Sequence, residues 1–484
     1  MSVSRHTAYN MVGAVIPIIL ALVTVPIYLH LVGADRYGVL SIAWLLLGYF
    51  GLFDLGLGRA TSYRIAALRD APAHAAADTF WAALVVNIGM GVVGGLILWG
   101  AGAYFFGHVF KVSETLRPEI LNSVPLLALS VPLATVTGVL TGALQGRERF
   151  LATNMVSIIS TTLFQLFPLS VAWFFGPNLS LLLAAALLAR LLAAAVSAYQ
   201  CHLEFTRGLR PRLVRSEIPL LLKYGGWVSL TSIFGPILNV VDRFVIGAIL
   251  GAGYVTSYTV PYQLSQRLSI LPVSLSSAMF PRMSAADEAE RHEMGARATH
   301  VLCSVMTPIV VVGVFLMQPF MRVWVGHSMS VLAVPVGRVL LVGFWINAFA
   351  IVPYARLQAS GRPDLVTKVL LIEIPPYVAA LYFFLGHFGV VGCAVICSIR
   401  NLVDFVLLTL ATRGGFYTPV LLASNCGLTL VALFAASRFS PSEPGWWVCG
   451  GVLTVVAGVT AWLTLPQDLR PKLSDVQRYL PKRA

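Results

Sequence analysis

Five arginines lie deep inside apolar stretches of this chain, in the company of acids and amides: Arg59 with Asp54, Arg190, Arg243 with Asn239 and Asp242, Arg267, and Arg400 with Asn401 and Asp404. Glu373 sits in a further apolar stretch of its own. A charge at bilayer depth is costly, so each must face a bundle interior or a wet cavity. Arginine at such a place suits one chemistry above others. Its planar fork matches a pair of phosphate oxygens, and its charge is not lost by deprotonation. With arginines outnumbering acids, the residues describe a cationic cavity that takes an anionic substrate.

Arg267 carries the sharpest pattern. Tyr258, Tyr262, Gln263, Gln266, Arg267 and Ser269 recur at three- and four-residue steps, which predicts one polar stripe on an otherwise apolar helix. Pro261 and Pro272 bracket most of it, and proline-broken spans with polar side chains line transport cavities. Substrate contact is therefore expected from Arg267, Arg59 and Arg243, with Gln263, Gln266 and Tyr262 beside them. Arg190 and Arg400 stand at matching places in ALLARLL and VICSIRN; they either face one cavity or pin their own surroundings through backbone carbonyls. Arg400 and Asp404 are one helical turn apart and ready to pair. Asp242 and Arg243 are helix neighbours that do not point together, so a direct pair is expected to be poor. Arg322 and Arg338 read as interfacial arginines reaching toward lipid headgroups.

Positioning such groups requires membrane spans. With 484 residues, 58% apolar and 11% charged, and a mean hydropathy of +0.82, the chain is too apolar for a soluble protein of its size. About fourteen stretches approach the ~20 apolar residues a spanning helix needs. They fall near 11–32, 38–63, 80–106, 121–144, 154–175, 179–203, 218–249, 254–281, 298–321, 331–355, 366–386, 390–412, 419–437 and 446–465. The first contains Pro17 and Pro26 and lacks a small-residue cleavage site, so it is not read as a signal peptide. The six cysteines show neither metal spacing nor a disulfide framework.

The net charge of +13 raises the question of nucleic acid, but its distribution answers it. With the N-terminus in the cytoplasm, that side receives Arg64, Arg147, Arg149, the Arg207–Arg215 cluster, Arg282, Arg291, Arg297, Arg356, Arg362, Arg413 and the basic tail. The other side keeps only Arg36, Lys111, Arg117, Arg322 and Arg438. This is the positive-inside asymmetry of a multi-pass protein with both termini cytoplasmic. Membrane lipids are the partner it implies, with the tail against anionic headgroups, and not nucleic acid.

The chain also repeats itself. IYLHLVGADRYGVL at 27–40 and VIGAILGAGYVTSY at 245–258 each end a span, turn on glycine and open the next; LQGRERFLATN at 144–154 resembles LQASGRPDLVTK at 357–368. The expected organisation is an N-lobe of helices 1–6 (1–203), a basic connector (204–217) and a C-lobe of helices 7–12 (218–413). Helices 13–14 (414–466) and a basic tail (467–484) follow. An even number of spans per lobe makes the repeats parallel, related by a pseudo-twofold axis along the membrane normal. Outer-side loops are too short for a catalytic domain, and no HExxH, GxSxG or phosphate-loop signature is present. Transport is the reading left, and not enzymatic catalysis.

The segment YGVLSIAWLLLGYFGLFDLGLGRATSYRIA (Tyr37–Ala66) resembles the second-helix region of bacterial polysaccharide exporters, as does the turn GALQGRERF (Gly142–Phe150). These are the Wzx-like lipid-linked oligosaccharide flippases of the multidrug/oligosaccharidyl-lipid/polysaccharide (MOP) superfamily. The resemblance covers essentially the whole chain. It implies an all-α, MATE-like fold in the bacterial inner membrane that moves an undecaprenyl-pyrophosphate-linked oligosaccharide, such as an O-antigen, capsule or exopolysaccharide repeat unit. Movement runs from the cytoplasmic to the outer leaflet by alternating access, with a polysaccharide polymerase as a partner. In such proteins a cationic cavity is contributed largely by helices 1, 2, 7 and 8, on which Arg59, Arg243 and Arg267 fall. Some relatives couple to Na⁺ or H⁺ through acids on helices 7 and 11, where Asp242 and Glu373 lie. Asp54, Asp404 and Asn239 are further candidates, though no ion-site motif matches. A multidrug-cation exporter shares the fold but favours an acid-dominated cavity. A peptidoglycan-precursor flippase shares both the fold and the cations.

Overall fold

The computed structural model describes residues 3–49, 56–68, 71–206, 240–413 and 417–466, with single positions at 212, 214, 219, 238 and 415. Asp54, Asn239, most of the 204–217 connector and the tail from 467 onward lie outside the described residues. Among the described residues the chain is helical and contains no strand. The first part forms α1 (Val3–Tyr49), α2 (Leu57–Ala67), α3 (Ala73–Tyr104), α4 (Arg117–Gly146), α5 (Phe150–Phe175) and α6 (Leu179–Cys201). After α7 (240–249) come α8 (Ala252–Gln266), α9 (Ile270–Ala285), α10 (Glu288–Val325) and α11 (His327–Ala359). The last are α12 (Pro363–Ala411), α13 (Pro419–Arg438) and α14 (Pro444–Thr464).

Ten of the described helices are long and apolar enough to cross a membrane. Two of these are hairpins rather than rods. α12 has 49 residues, and a straight helix of that length would run ~74 Å against a hydrocarbon core of ~30 Å. It breaks at Gly389, whose φ of 59° and ψ of −151° lie in a region that only glycine occupies comfortably. Beyond the break the chain folds back: a Cβ on Gly392 would strike the carbonyl of Phe384. α1 does the same at Gly33 (φ 79°). Tyr28 and Trp44, which a straight helix would hold ~24 Å apart, stack edge-on with ring centroids 5.2 Å apart. Counting both arms of each hairpin, and the α8–α9 rod, gives thirteen crossings among the described residues. The expected span 218–249 is described only at its end.

The chain divides into two compact units, Met1–Thr256 and Ser257–Ala484. In the first, α4 packs against α2, α3 and α6, and α5 pairs with α6 and α1. Helices in lipid associate by close packing and interhelical hydrogen bonds, because lipid tails are as apolar as leucine. Gly142 of α4 therefore lies so close to Gly58 of α2 that a Cβ would collide with the Gly58 carbonyl. Thr135 of α4 donates to the Asn87 carbonyl of α3 at 3.0 Å. Residues 240–256 belong to this unit through contacts with its loops. The Lys111 N–H donates to the Gly247 carbonyl at 3.0 Å, and the Thr256 hydroxyl donates to the Ala34 carbonyl at 2.6 Å.

In the second unit α11 lies between α10 and α12, and α10 also carries α13 and α14. Asn401 donates to the Gly343 carbonyl at 3.1 Å, Trp345 donates to Thr307 at 3.1 Å, and Trp446 packs edge-on against Phe315. Arg338 corrects the sequence reading. It does not reach toward headgroups but is buried well inside α11, with Nε donating to the Val314 carbonyl at 3.2 Å and Nη2 to Gln318 at 3.0 Å. At that depth an internal carbonyl and amide are nearer than any headgroup, and a buried guanidinium needs acceptors.

Candidate cationic site

Arg267 stands where a helix changes its winding. α8 ends at Gln266, residues Arg267–Ser269 form a three-ten turn, and α9 resumes the α-helix. Pro272 contributes by lacking the N–H that the Leu268 carbonyl would otherwise accept. Gln266 and Arg267 are exposed and Gln263 is half-buried. Among the described residues, nothing forms a hydrogen bond or ion pair with the Arg267 guanidinium. The polar stripe does not extend as predicted, however. Tyr258 and Tyr262 are buried, 5.7 Å apart, and Tyr262 meets Phe344 of α11 edge-on at 5.2 Å. Three- and four-residue steps drift around a helix: nine residues at ~100° each carry Arg267 to the side opposite Tyr258. Tyr262 is thus a packing residue on the face that holds α8 to its unit, while Gln263, Gln266 and Arg267 share the open side.

Arg59 is exposed on α2. Its orientation follows from the glycine contact, since α2 buries Leu57, Gly58, Ala60 and Thr61 and turns the intervening residue outward. Arg243 is different. Both it and Asp242 are 1% exposed, and they form a direct ion pair at 2.9 Å. The expectation of a poor direct pair is therefore corrected. Asp242 turns back along the helix to accept the Arg243 backbone N–H at 2.8 Å, and the long arginine side chain curls to the same oxygen.

Arg190 and Arg400 share an arrangement that the spacing did not reveal. Arg190 of α6 lies over the ring of Phe164 on α5 at 4.8 Å. Arg400 lies over the ring of Tyr377, in the first arm of α12, at 5.6 Å. Each thus rests its cation on an aromatic of the span before it, an interaction of about 0.5–2 kcal/mol. The recurrence of an aromatic in the preceding span was a signal available in the sequence. Arg400 also donates to Asn401 at 2.6 Å, and the expected Arg400–Asp404 salt bridge does not form. Glu373, on the first arm of α12, is 3% exposed, and neither of its carboxylate oxygens has a hydrogen-bond partner among the described residues. No grouping of three or more His, Cys, Asp or Glu side chains suited to a metal ion occurs among the described residues.

A second polar cluster went unpredicted. Arg356, buried at the end of α11, donates to the Tyr417 hydroxyl at 2.7 Å and pairs with Glu288. Burial raises the Tyr417 phenol above its ordinary pKa, against the pull of the guanidinium. These residues come from three separate loops or helix ends, so no local spacing announces them.

Comparison with known proteins agrees with this architecture. The polysaccharide biosynthesis protein family matches residues 3–287, more than half of the chain. A Shigella flexneri protein named "Putative O-antigen transporter" is 27% identical over 414 residues, covering 84% of this chain and 97% of its own length. Among solved structures, the lipid II flippase MurJ in an inward closed conformation aligns with a TM-score of 0.72 at 14% identity, over 96% of this chain and 99% of MurJ. An inward-facing multidrug resistance MATE family transporter of the MOP superfamily aligns with a TM-score of 0.71 at 17% identity, over 83% of this chain and 97% of its own. At these identities the structural likenesses establish the fold, a multi-pass α-helical membrane protein of the MOP type. With that fold and the match across residues 3–287, the chain belongs to the polysaccharide biosynthesis protein family.

Proposed function

We propose that this chain is a flippase that carries a polyprenyl-pyrophosphate-linked oligosaccharide from the cytoplasmic to the outer leaflet of the bacterial inner membrane. Arg267 is the leading ligand of the pyrophosphate; Arg59, exposed on the first unit, is a separate candidate contact. One observation carries the reading: Arg267 is a permanent cation, exposed on the three-ten turn of a membrane-length rod, with no counter-charge among the described residues. A cation so placed has no structural task to explain it. The prenyl tail can remain in lipid, but the charged head and its glycan need a polar route. Charge-assisted hydrogen bonds of about 1.5–3 kcal/mol each are strong enough to replace water around phosphate and weak enough to permit release. Gln263 and Gln266, beside Arg267, add donors and acceptors for sugar hydroxyls. Arg243 joins the headgroup only by exchanging Asp242 for phosphate. The relative named for O-antigen transport supports the glycan branch of the family.

The same reading assigns 1–203 and 218–413 to duplicated lobes, places both termini in the cytoplasm and passes the unit to a polysaccharide polymerase. The local partners of Arg36, held by Glu119, and of Lys111, held by the Ile249 carbonyl, fit an outer side with little free positive charge. Coupling to H⁺ is assigned to Glu373 and Asp404, two acids carried on the arms of α12 that also bring Arg400 over Tyr377. The test is reconstitution into liposomes with three cargoes: a polyprenyl-pyrophosphate oligosaccharide, a lipid-linked peptidoglycan precursor and an unglycosylated polyprenyl phosphate. Selective flipping of the first supports the proposal. Selective flipping of the second assigns the chain to the cell-wall branch, and flipping of none removes the flippase reading.

A further inference from the structure

At one end of the second unit, a pocket of about 380 Å³ opens between the last turn of α11, the first turn of α12 and the final residues of the same α12. Its lining divides by chemistry. Arg356, Arg362 and Arg413 supply positive charge against the single carboxylate of Glu288, while Leu357, Leu365, Leu410 and Ala411 supply an apolar wall. Arg356 is the fixed member, buried and held by Glu288 and Tyr417. Arg362 is exposed and grips Asp364, with Nε donating at 3.1 Å and Nη2 at 3.4 Å. Arg413 has no ion-pair partner among the described residues and occupies a left-handed backbone conformation, φ 54°. A helix ordinarily ends on glycine in that conformation. Here glycine follows immediately in the sequence, yet Arg413 takes the strained position and lines the pocket.

The apolar wall determines what kind of anion fits. Leu410 is 61% exposed on the last turn of the spanning helix, one residue before Ala411 and three before Arg413. A soluble anion gains nothing from such a wall. An acyl chain gains a surface at the depth where the apolar span gives way to cations, which is where a glycerophospholipid places its phosphate. A zwitterionic headgroup would set its own ammonium among three guanidiniums. The loop-charge asymmetry assigns this end of the unit to the cytoplasmic side.

We propose that this pocket is a binding site for an anionic glycerophospholipid of the cytoplasmic leaflet, with Arg362 and Arg413 on the phosphate and Leu410 and Leu365 along an acyl chain. A lipid seated there bridges the two ends of the α12 hairpin, and Arg356 keeps the pocket formed. The site is separate from the Arg267 region and stands whether or not the flippase reading holds.

The full chain, purified in detergent, is titrated with phosphatidylglycerol and with phosphatidylcholine, and retained lipid is counted by native mass spectrometry. The expected result is one phosphatidylglycerol retained preferentially. In the variant carrying Arg362→Gln and Arg413→Gln its affinity falls at least about tenfold, the loss of one charge-assisted contact or more. The variant carrying Arg322→Gln and Arg438→Gln keeps parental affinity. Millimolar inorganic phosphate leaves the lipid bound. Equal retention of the two lipids overturns the proposal, as does parental affinity in the Arg362/Arg413 variant. Displacement by inorganic phosphate reassigns the pocket to a soluble anion. A measurement on the unaltered protein guards against a misfolded variant. A photoreactive phosphatidylglycerol should crosslink to peptides containing 357–365 and 410–413, and crosslinks confined elsewhere refute the site.

Discussion

Replacing Arg267 by alanine separates recognition from folding more cleanly than any other change in this chain. The side chain is exposed on the three-ten turn, and nothing else is hydrogen-bonded to it among the described residues. Its loss therefore leaves no buried group unsatisfied, and the cost to stability should stay within about 0.5 kcal/mol. The cost to headgroup binding is larger. One charge-assisted contact to phosphate is worth about 1.5–3 kcal/mol, which converts to a weakening of about 10- to 150-fold. Lysine at the same position keeps the charge and loses the two-pronged geometry, so Arg267→Lys should lie between alanine and the parent. Arg243→Ala makes the informative contrast. It removes the guanidinium that pairs with Asp242, 1% exposed, and breaking a buried pair costs about 3–5 kcal/mol. That variant should lose protein from the membrane, and the combination Asp242→Asn with Arg243→Gln should restore much of the amount. Flipping rates in liposomes, normalised to reconstituted protein, and membrane abundance in cells give the two readouts. Normal abundance with a parental rate in Arg267→Ala refutes Arg267 as a headgroup ligand. Normal abundance in Arg243→Ala refutes the view that the Asp242 pair is structural.

Three further outcomes follow from other parts of the molecule. Gly142→Ala places a methyl group against the Gly58 carbonyl and should destabilise the α2–α4 contact by about 1–3 kcal/mol, read as a lower thermal midpoint in detergent. Glu373→Gln should abolish acceleration of transport by an imposed proton gradient while leaving gradient-independent exchange measurable; an unchanged response to the gradient removes Glu373 from coupling. Single cysteines replacing Ser113 and Ser360 should react with membrane-impermeant thiol reagents from opposite sides, 113 from outside and 360 from the cytoplasm, and labelling from the same side contradicts the topology.

The span pattern was legible because hydropathy reports it directly, and the glycines at 33 and 389 marked hairpins because each interrupts an apolar run too long for one crossing. Other features depend on quantities that spacing does not contain. Spacing does not disclose the Asp242–Arg243 pair, because the rule for helix neighbours describes where Cβ atoms point, not how far an arginine can bend once both groups are buried. The polar stripe on α8 is shorter than its spacing suggests, because residues linked by successive three- and four-residue steps drift off one face. Arg338 and Arg356 take partners from neighbouring helices or distant loops, so only the assembled unit shows that both are internal.

The three residues from Arg267 to Ser269 also set the azimuth of everything after them. A three-ten turn advances ~120° and ~2.0 Å per residue, against ~100° and ~1.5 Å in an α-helix. Rewinding those three residues as α-helix would swing α9 by ~60° about the common axis and shorten the rod by ~1.5 Å. Tyr258 and Tyr262 stay clamped against their unit during such a twist, so the torsion would fall on Arg267 and the helix beyond. The cation and the coil that can be rewound are the same few residues, and the rod carries its charge on its own torsional joint.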